Sequence, residues 1–203
     1  LYLPSEIHRM DGNFMHSNVK DKDGFGLTVG YGYTPSKNFY SGIGIKYYDE
    51  RLDLNDMGYL ILNDRFMLNG RTQFKRTTFQ EGSVLRSRLF EIGYGSKFNV
   101  DSERESSNFA LKLENNFVNL SEIKAEVFYR STGRNTRITR GSKFAPFIKM
   151  PKGMGGYIDF TGPRRPTYVY GLRFERGRGS EHSPELGWGT KSRGYLKYMP
   201  NPF

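Results

Sequence analysis

Residues Phe25 to Tyr33 read FGLTVGYGY, and this stretch constrains the fold more than any other in the chain. Phe25, Leu27, Val29, Tyr31 and Tyr33 alternate with Gly26, Thr28, Gly30 and Gly32. Side chains on a strand point to opposite faces with period two, so one face is large and aromatic and the other nearly bare. A soluble half-buried strand places charge on its wet face. Small residues opposite an aromatic stripe suit a barrel wall, with lipid outside and a crowded or watery lumen inside.

The pattern recurs. Phe66, Leu68 and Phe74 oppose Arg65, Asn69, Arg71, Gln73 and Lys75. Phe109, Leu111, Leu113 and Phe117 oppose Lys112, Glu114 and Asn116. Ile123, Ala125, Val127 and Tyr129 oppose Glu122, Lys124, Glu126 and Arg130, and Tyr168, Tyr170, Leu172 and Phe174 oppose Gly171, Arg173 and Glu175. Strands are expected near 25–33, 39–48, 65–75, 84–98, 108–118, 121–131, 143–150, 156–160, 167–176 and 193–199. Several reach the roughly 9–11 residues that a tilted membrane-crossing strand requires. In the segment from Val84, Arg86 and Arg88 share a face with Phe90, Ile92 and Tyr94, which places its start beyond the membrane. No helical period is evident, and no apolar run nears the roughly 20 residues of a membrane-spanning helix.

The expected fold is therefore all-β: an antiparallel transmembrane β-barrel, read as an incomplete part of a larger one. Residues 1–24 are assigned to a lead-in segment or loop. Residues 25–203 are assigned to barrel strands, with long loops near 49–63, 99–107, 131–142 and 150–166. The last of these holds Pro151, Gly153, Gly155, Gly156, Gly162, Pro163 and Pro166, a density of breakers that favours a structured loop. The start LYLPSEIHRM lacks an initiator Met and a signal-like pattern, and Asn201-Pro202-Phe203 reads as an approach to a turn. The expectation is an interior piece of a longer chain.

Composition agrees with this design. Aromatics reach 15% while apolar residues as a whole are only 36%, as in a barrel where half of each strand faces the lumen. There is no cysteine, which excludes disulfide and thiolate chemistry. The net charge is +10. Arg130, Arg134, Arg137, Arg140, Lys143, Lys149 and Lys152 follow one another with no acid between Glu126 and Asp159. Such a run attracts phosphate. Arg134, Arg137, Arg140 and Lys143 are the candidate anion-binding residues, reading lipopolysaccharide headgroups outside the membrane. The bland alternative is a solvated loop with lumen-lining arginines.

Two turn motifs share an acid-x-Gly-aromatic order. They are Asp56, Gly58 and Tyr59, and Glu185, Gly187 and Trp188. The glycine permits a tight backbone and the aromatic enters a strand at the membrane interface. His8, His16 and His182 lack metal-ligand spacing. Asp21, Asp23 and Gly24 lack the later bidentate acid of a calcium loop and read as a hairpin turn. Gly30-Tyr31-Gly32, Gly42-Ile43-Gly44 and Gly93-Tyr94-Gly95 lie inside strand patterns and are not nucleotide loops. No catalytic residue, metal or cofactor is assigned, and an enzyme is not expected.

Tyr47-Tyr48-Asp49, Asn55 to Leu60, Asn63-Asp64-Arg65 and Tyr195 to Pro202, set among these strands, resemble a bacterial envelope family. In that family a carbohydrate-binding family-nine-like domain precedes a large C-terminal β-barrel of unassigned function. The resemblance implies an outer-membrane protein linked to carbohydrate handling, and it supplies no catalytic residues. The expected role is a channel, receptor or envelope-complex component in a Gram-negative outer membrane. Its expected partners are lipid, lipopolysaccharide and other envelope proteins, not nucleic acid. The competing reading is a soluble, basic all-β module that binds phosphate-rich polymers.

Overall fold

The computed structural model describes residues 2–4, 7–53, 64–99, 104–135, 148–163, 165, 167–179 and 187–198. These residues contain no helix. Their strands are β1 (Tyr2–Pro4), β2 (His8–Val19), β3 (Lys22–Ser36), β4 (Phe39–Tyr48), β5 (Arg65–Arg76), β6 (Leu85–Phe98) and β7 (Arg104–Phe117). They continue as β8 (Glu122–Arg130), β9 (Gly133–Asn135), β10 (Ile148–Met150), β11 (Gly153–Thr161), β12 (Tyr168–Arg178) and β13 (Trp188–Tyr198). One antiparallel sheet runs in the order β1-β2-β3-β4-β5-β6-β7-β8-β11-β12-β13, and β9 and β10 form a separate two-stranded hairpin. The sheet does not close on itself among the described residues.

Local chemistry explains the turns. Lys20 and Asp21 both take positive φ, 53° and 58°, as a two-residue turn matched to strand twist requires. The turn thus falls just before the predicted Asp21-to-Gly24 position, and Asp23 already lies in β3. At the opposite end of the sheet, Lys37-Asn38 joins β3 to β4 and Val118 to Ser121 joins β7 to β8. The long connections, 49–64 and 131–152, both leave from the end that carries the Lys20-Asp21 turn.

Three expectations are corrected. Residues 1–24 are no lead-in loop: β2 occupies His8–Val19 and pairs with β3 along its whole length, from His8 opposite Tyr33 to Val19 opposite Lys22. Residues 150–166 are not a loop either, because β11 runs from Gly153 to Thr161 between β8 and β12. Its glycines are covered from neighbouring strands. Phe128 lies directly opposite Gly155, with its ring 2.9 Å from where a Gly155 side chain would begin. An aromatic across the ladder thus fills the face that glycine leaves empty. Within 99–107, β7 already begins at Arg104. Of the predicted strand 143–150, only Ile148–Met150 is described, as β10.

There is almost no buried apolar core. Among the described residues only Leu52 and Met150 are buried hydrophobics. Leu52 belongs to the turn after β4, which folds over the polar face of the sheet. The Asp53 N–H donates to Ser17 Oγ at 2.9 Å. Leu52 Cδ2 stands 2.8 Å from the place a Gly26 side chain would take, and any side chain at Gly24 would meet the backbone of Arg51 and Leu52. The glycines of β3 therefore form a slot for this hook.

Candidate functional site

Residues paired across strands share a face, so the register sorts every side chain. One face is apolar. Across β3, β4, β5, β6, β7 and β8, Tyr31, Ile43, Gly70, Tyr94, Phe109 and Tyr129 occupy one rung. Nearer the short-turn end, Phe39 meets Phe74 edge-on at 5.0 Å and Phe74 meets Phe90 at 6.4 Å. Nearer the other end lie Phe14 with Phe25 and Phe66 with Phe98. Aliphatic Val29, Ile45 and Leu68 form a rung between these aromatic groups.

The opposite face is polar, and burial is inverted. Val127 and Leu172 on the apolar face are 62% and 64% exposed, whereas the side chains of Glu114 and Asp159 on the polar face are 20% and 25% exposed. A soluble sheet does the reverse.

The apolar band also runs obliquely to the rungs. On β5 it extends from Phe66 to Phe74, and Arg76 lies beyond it; on β12 it extends from Tyr168 to Phe174, and Arg176 and Arg178 lie beyond it at the other end. The rung through Gly70, at the middle of the β5 band, reaches Arg178 on β12. The band therefore slips by roughly seven residues over five strand-to-strand steps. At about 3.3 Å per residue and about 4.8 Å per step, its slope is about 45°.

The polar face has two parts. On β7, β8, β11 and β12 it is filled by a charge network. Lys112 pairs with Glu114 at 3.4 Å and Lys124 with Glu122 at 2.8 Å. Arg173 reaches Asp159 at 3.7 Å and Glu175 at 3.4 Å while its guanidinium stacks on the Tyr157 ring at 3.9 Å. The Tyr157 hydroxyl in turn donates to Glu126 at 3.1 Å. Partly buried charge-assisted bonds of this kind are the strong ones. Bridging towards this network at the long-loop end, Arg65 of β5 holds Glu105 of β7 at 3.2 Å.

On β2, β3, β4 and β5 the same face is a trough of about 900 Å³. Its floor is glycine. Gly30 pairs with Gly44 and Gly32 with Gly42. Arg9 and Asp11 flank it from β2, and Arg71 and Asn69 from β5. Tyr40 lies along the floor at one end, and Arg71 stacks over its ring at 5.3 Å. Gly30, Gly32, Gly42 and Gly44 lie in strands, as their sequence pattern predicts, but the trough they floor is not among the expectations. The signal was present: two G-aromatic/aliphatic-G triplets, ten residues apart across a short hairpin, fall in register.

Of the predicted anion-binding residues, Arg134 alone is among the described residues. Arg134 sits in β9 opposite Lys149 of β10. Arg137, Arg140 and Lys143 lie outside the described residues, as do Asp56, Gly58, Tyr59 and Glu185. Gly187 directly precedes β13, and Trp188 opens it on the apolar face, with Arg176 and Arg178 each 5.5 Å from its ring. Those two arginines were not singled out, although they continue the Tyr168, Tyr170, Leu172, Phe174 parity. His8 Nδ1 lies 2.7 Å from the Tyr31 hydroxyl, and His16 Nε2 lies 3.0 Å from Asp23. At the hairpin tip outside the apolar band, the Asn18 amide and His16 hold the Asp23 carboxyl below its usual range.

These features define an all-β antiparallel sheet with an apolar band on one face and a polar, charge-bearing opposite face. No known family, curated protein or solved structure matches the chain.

Proposed function

We propose that the chain forms wall of a β-barrel in a bacterial outer membrane and serves as a channel. The observation that carries this is the inverted burial within an oblique apolar band. An exposed apolar surface of this extent has no place in water, but it matches a lipid-facing belt flanked by aromatics. A slope of about 45° agrees with strand tilts of 35–45° in such barrels. The polar face then lines the aqueous side, and Arg176, Arg178 and Trp188 sit where headgroups meet the belt. Their guanidinium groups suit lipopolysaccharide phosphates, extending the role assigned to Arg134, Arg137, Arg140 and Lys143. The resemblance carried by Tyr47 to Asp49 and Asn55 to Leu60 adds the proposal of an envelope component linked to carbohydrate handling.

The test is extraction and gel behaviour. Expressed with an export signal, the chain should fractionate with outer membranes, require detergent for extraction and migrate faster unheated than boiled. Purification as a monodisperse protein in plain buffer would reject the reading in favour of a soluble basic module.

A further inference from the structure

The two halves of the polar face differ in how their cations are satisfied. In the β7–β12 network, Lys112, Lys124 and Arg173 each hold a carboxylate. In the trough, Arg9 faces Asp11 at 3.8 Å, but Arg71 and Lys46 have no carboxylate partner among the described residues. Arg71 rests on Tyr40, which occupies one face of its guanidinium and leaves the N–H edge directed elsewhere. Along the strands the order is Arg71 opposite Gly42, Asn69 opposite Gly44, and Lys46 two residues further along β4. The Asn69 amide lies over Gly44, with Oδ1 and Nδ2 3.1 and 3.3 Å from the position of a missing Cβ. Two cations and an amide thus line about 13 Å of one wall. With no Cβ in the floor, the Asp11 carboxylate, the Tyr40 ring and the Asn69 amide lie low over Gly30, Gly42 and Gly44, within a trough of about 900 Å³. Among the described residues that line the trough, Arg9, Lys46 and Arg71 are the cations and Asp11 the carboxylate, a balance that favours anions.

We propose that this trough binds small oxyanions, carboxylates or phosphates, through Arg71 and Lys46, with the Asn69 amide between them. Arginine's planar fork fits two oxygens of either group, lysine supplies a point charge, and the Asn69 amide N–H can donate to the ligand between them. The inference adds a ligand class to the proposed channel wall, but binding itself does not depend on transport. Asp11, across the floor over Gly30, opposes the ligand and sets an upper limit on its affinity.

The experiment is calorimetric titration of the full chain at low ionic strength, in detergent if extraction requires it and in buffer if not. The probes are inorganic phosphate and succinate. Wild type should bind at least one, and which one binds separates phosphate from carboxylate recognition. Lys46→Gln with Arg71→Gln should weaken binding at least tenfold, and Asp11→Asn should tighten it several-fold. Arg173→Gln, in the filled half of the face, should leave it unchanged. Circular dichroism checks that each variant keeps its strands, and Arg71→Lys, which retains charge, should recover part of the affinity if the double variant fails to fold. Absence of binding by wild type to both probes, or binding that survives the double substitution, overturns the proposal. Binding without any conductance in planar bilayers would instead reject the channel and leave the site standing.

Discussion

The trough of β2–β5 and the charge network of β7–β12 share one face, one register rule and the same strand period, yet they solve opposite problems. The network fills its space. Lys112, Glu114, Lys124, Glu122, Asp159, Arg173 and Glu175 neutralise one another at distances of 2.8–3.7 Å. The trough places glycine where the network places charge, so the Asp11, Tyr40 and Asn69 side chains lie low against the sheet, and at one end the Leu52 hook packs over Gly24 and Gly26. Similar alternation therefore says which side chains share a face, while the size and charge of the polar-face residues decide how that face is filled.

Four measurements test this contrast. The largest effect is expected at Leu52. It is 1% exposed, and Leu52→Ala should cost about 2–4 kcal/mol, the range for emptying a fully buried leucine site. Urea unfolding should show the loss, and it should be the same at low and high salt, since packing rather than charge is removed. A loss below about 0.5 kcal/mol would mean the hook does not hold the trough's end.

Next comes a pair of glycines on the same face. Gly26→Val drives a side chain into Leu52 and should cost about 1–3 kcal/mol. Gly93→Val has nothing within 4 Å of its new Cβ and should stay within about 0.5 kcal/mol. Equal effects at both positions would erase the distinction between slot and open wall.

A smaller effect is expected in the network. A double-mutant cycle on Asp159→Asn and Arg173→Gln should give a coupling of about 1 kcal/mol, limited because Arg173 is partly exposed and screened. Unlike the Leu52 loss, this coupling should shrink as salt rises. A coupling that ignores salt would argue that Tyr157 stacking, not charge, holds Arg173.

The smallest effect concerns Asp23 at the hairpin tip. Its folded carboxyl titrates below the unfolded value of about 3.8, so its contribution to stability is present above that pH and is lost as pH falls through the lower folded value. Nuclear magnetic resonance titration should show the depression, and Asn18→Ala should reduce it. No change in that variant would reassign the shift to His16.

Much of the sheet was legible because its apolar residues are large and alternate: Phe, Tyr, Leu, Ile and Val recur at alternate positions of β3, β4, β5, β7, β8 and β12, interrupted by Ser41, Gly70, Thr72, Asn115 and Ala125. β2 was missed because its apolar-face residues include His8, Gly12 and His16, which dilute the stripe. Their partners Tyr33, Val29 and Phe25 on β3 supply the bulk that β2 lacks. β11 was expected only over 156–160, within a stretch otherwise read as loop, for a related reason. Gly153, Gly155 and Gly156 look like breakers in one dimension, and only the pairing with β8 shows Phe128 completing the wall. The trough was hidden because a cavity floored by two strands has no linear signature. The charge network, by contrast, could be read as charged faces but not as pairs, since the pairs depend on register.

The sheet order carries a kinetic consequence. Every neighbouring pair but one joins strands consecutive in the chain, and the exception is β8 with β11. Contact order is therefore low over most of the sheet, and successive hairpins can zip locally. The β8–β11 junction must instead close across residues 131–152, where a slip of one residue in β11 would turn Ile158 to the polar face and Asp159 to the apolar one. Lengthening that connection costs little at equilibrium, because closure entropy grows only logarithmically with loop length. The junction thus governs how fast the two groups of strands find one another, while leaving the final stability almost indifferent to the length of chain between them.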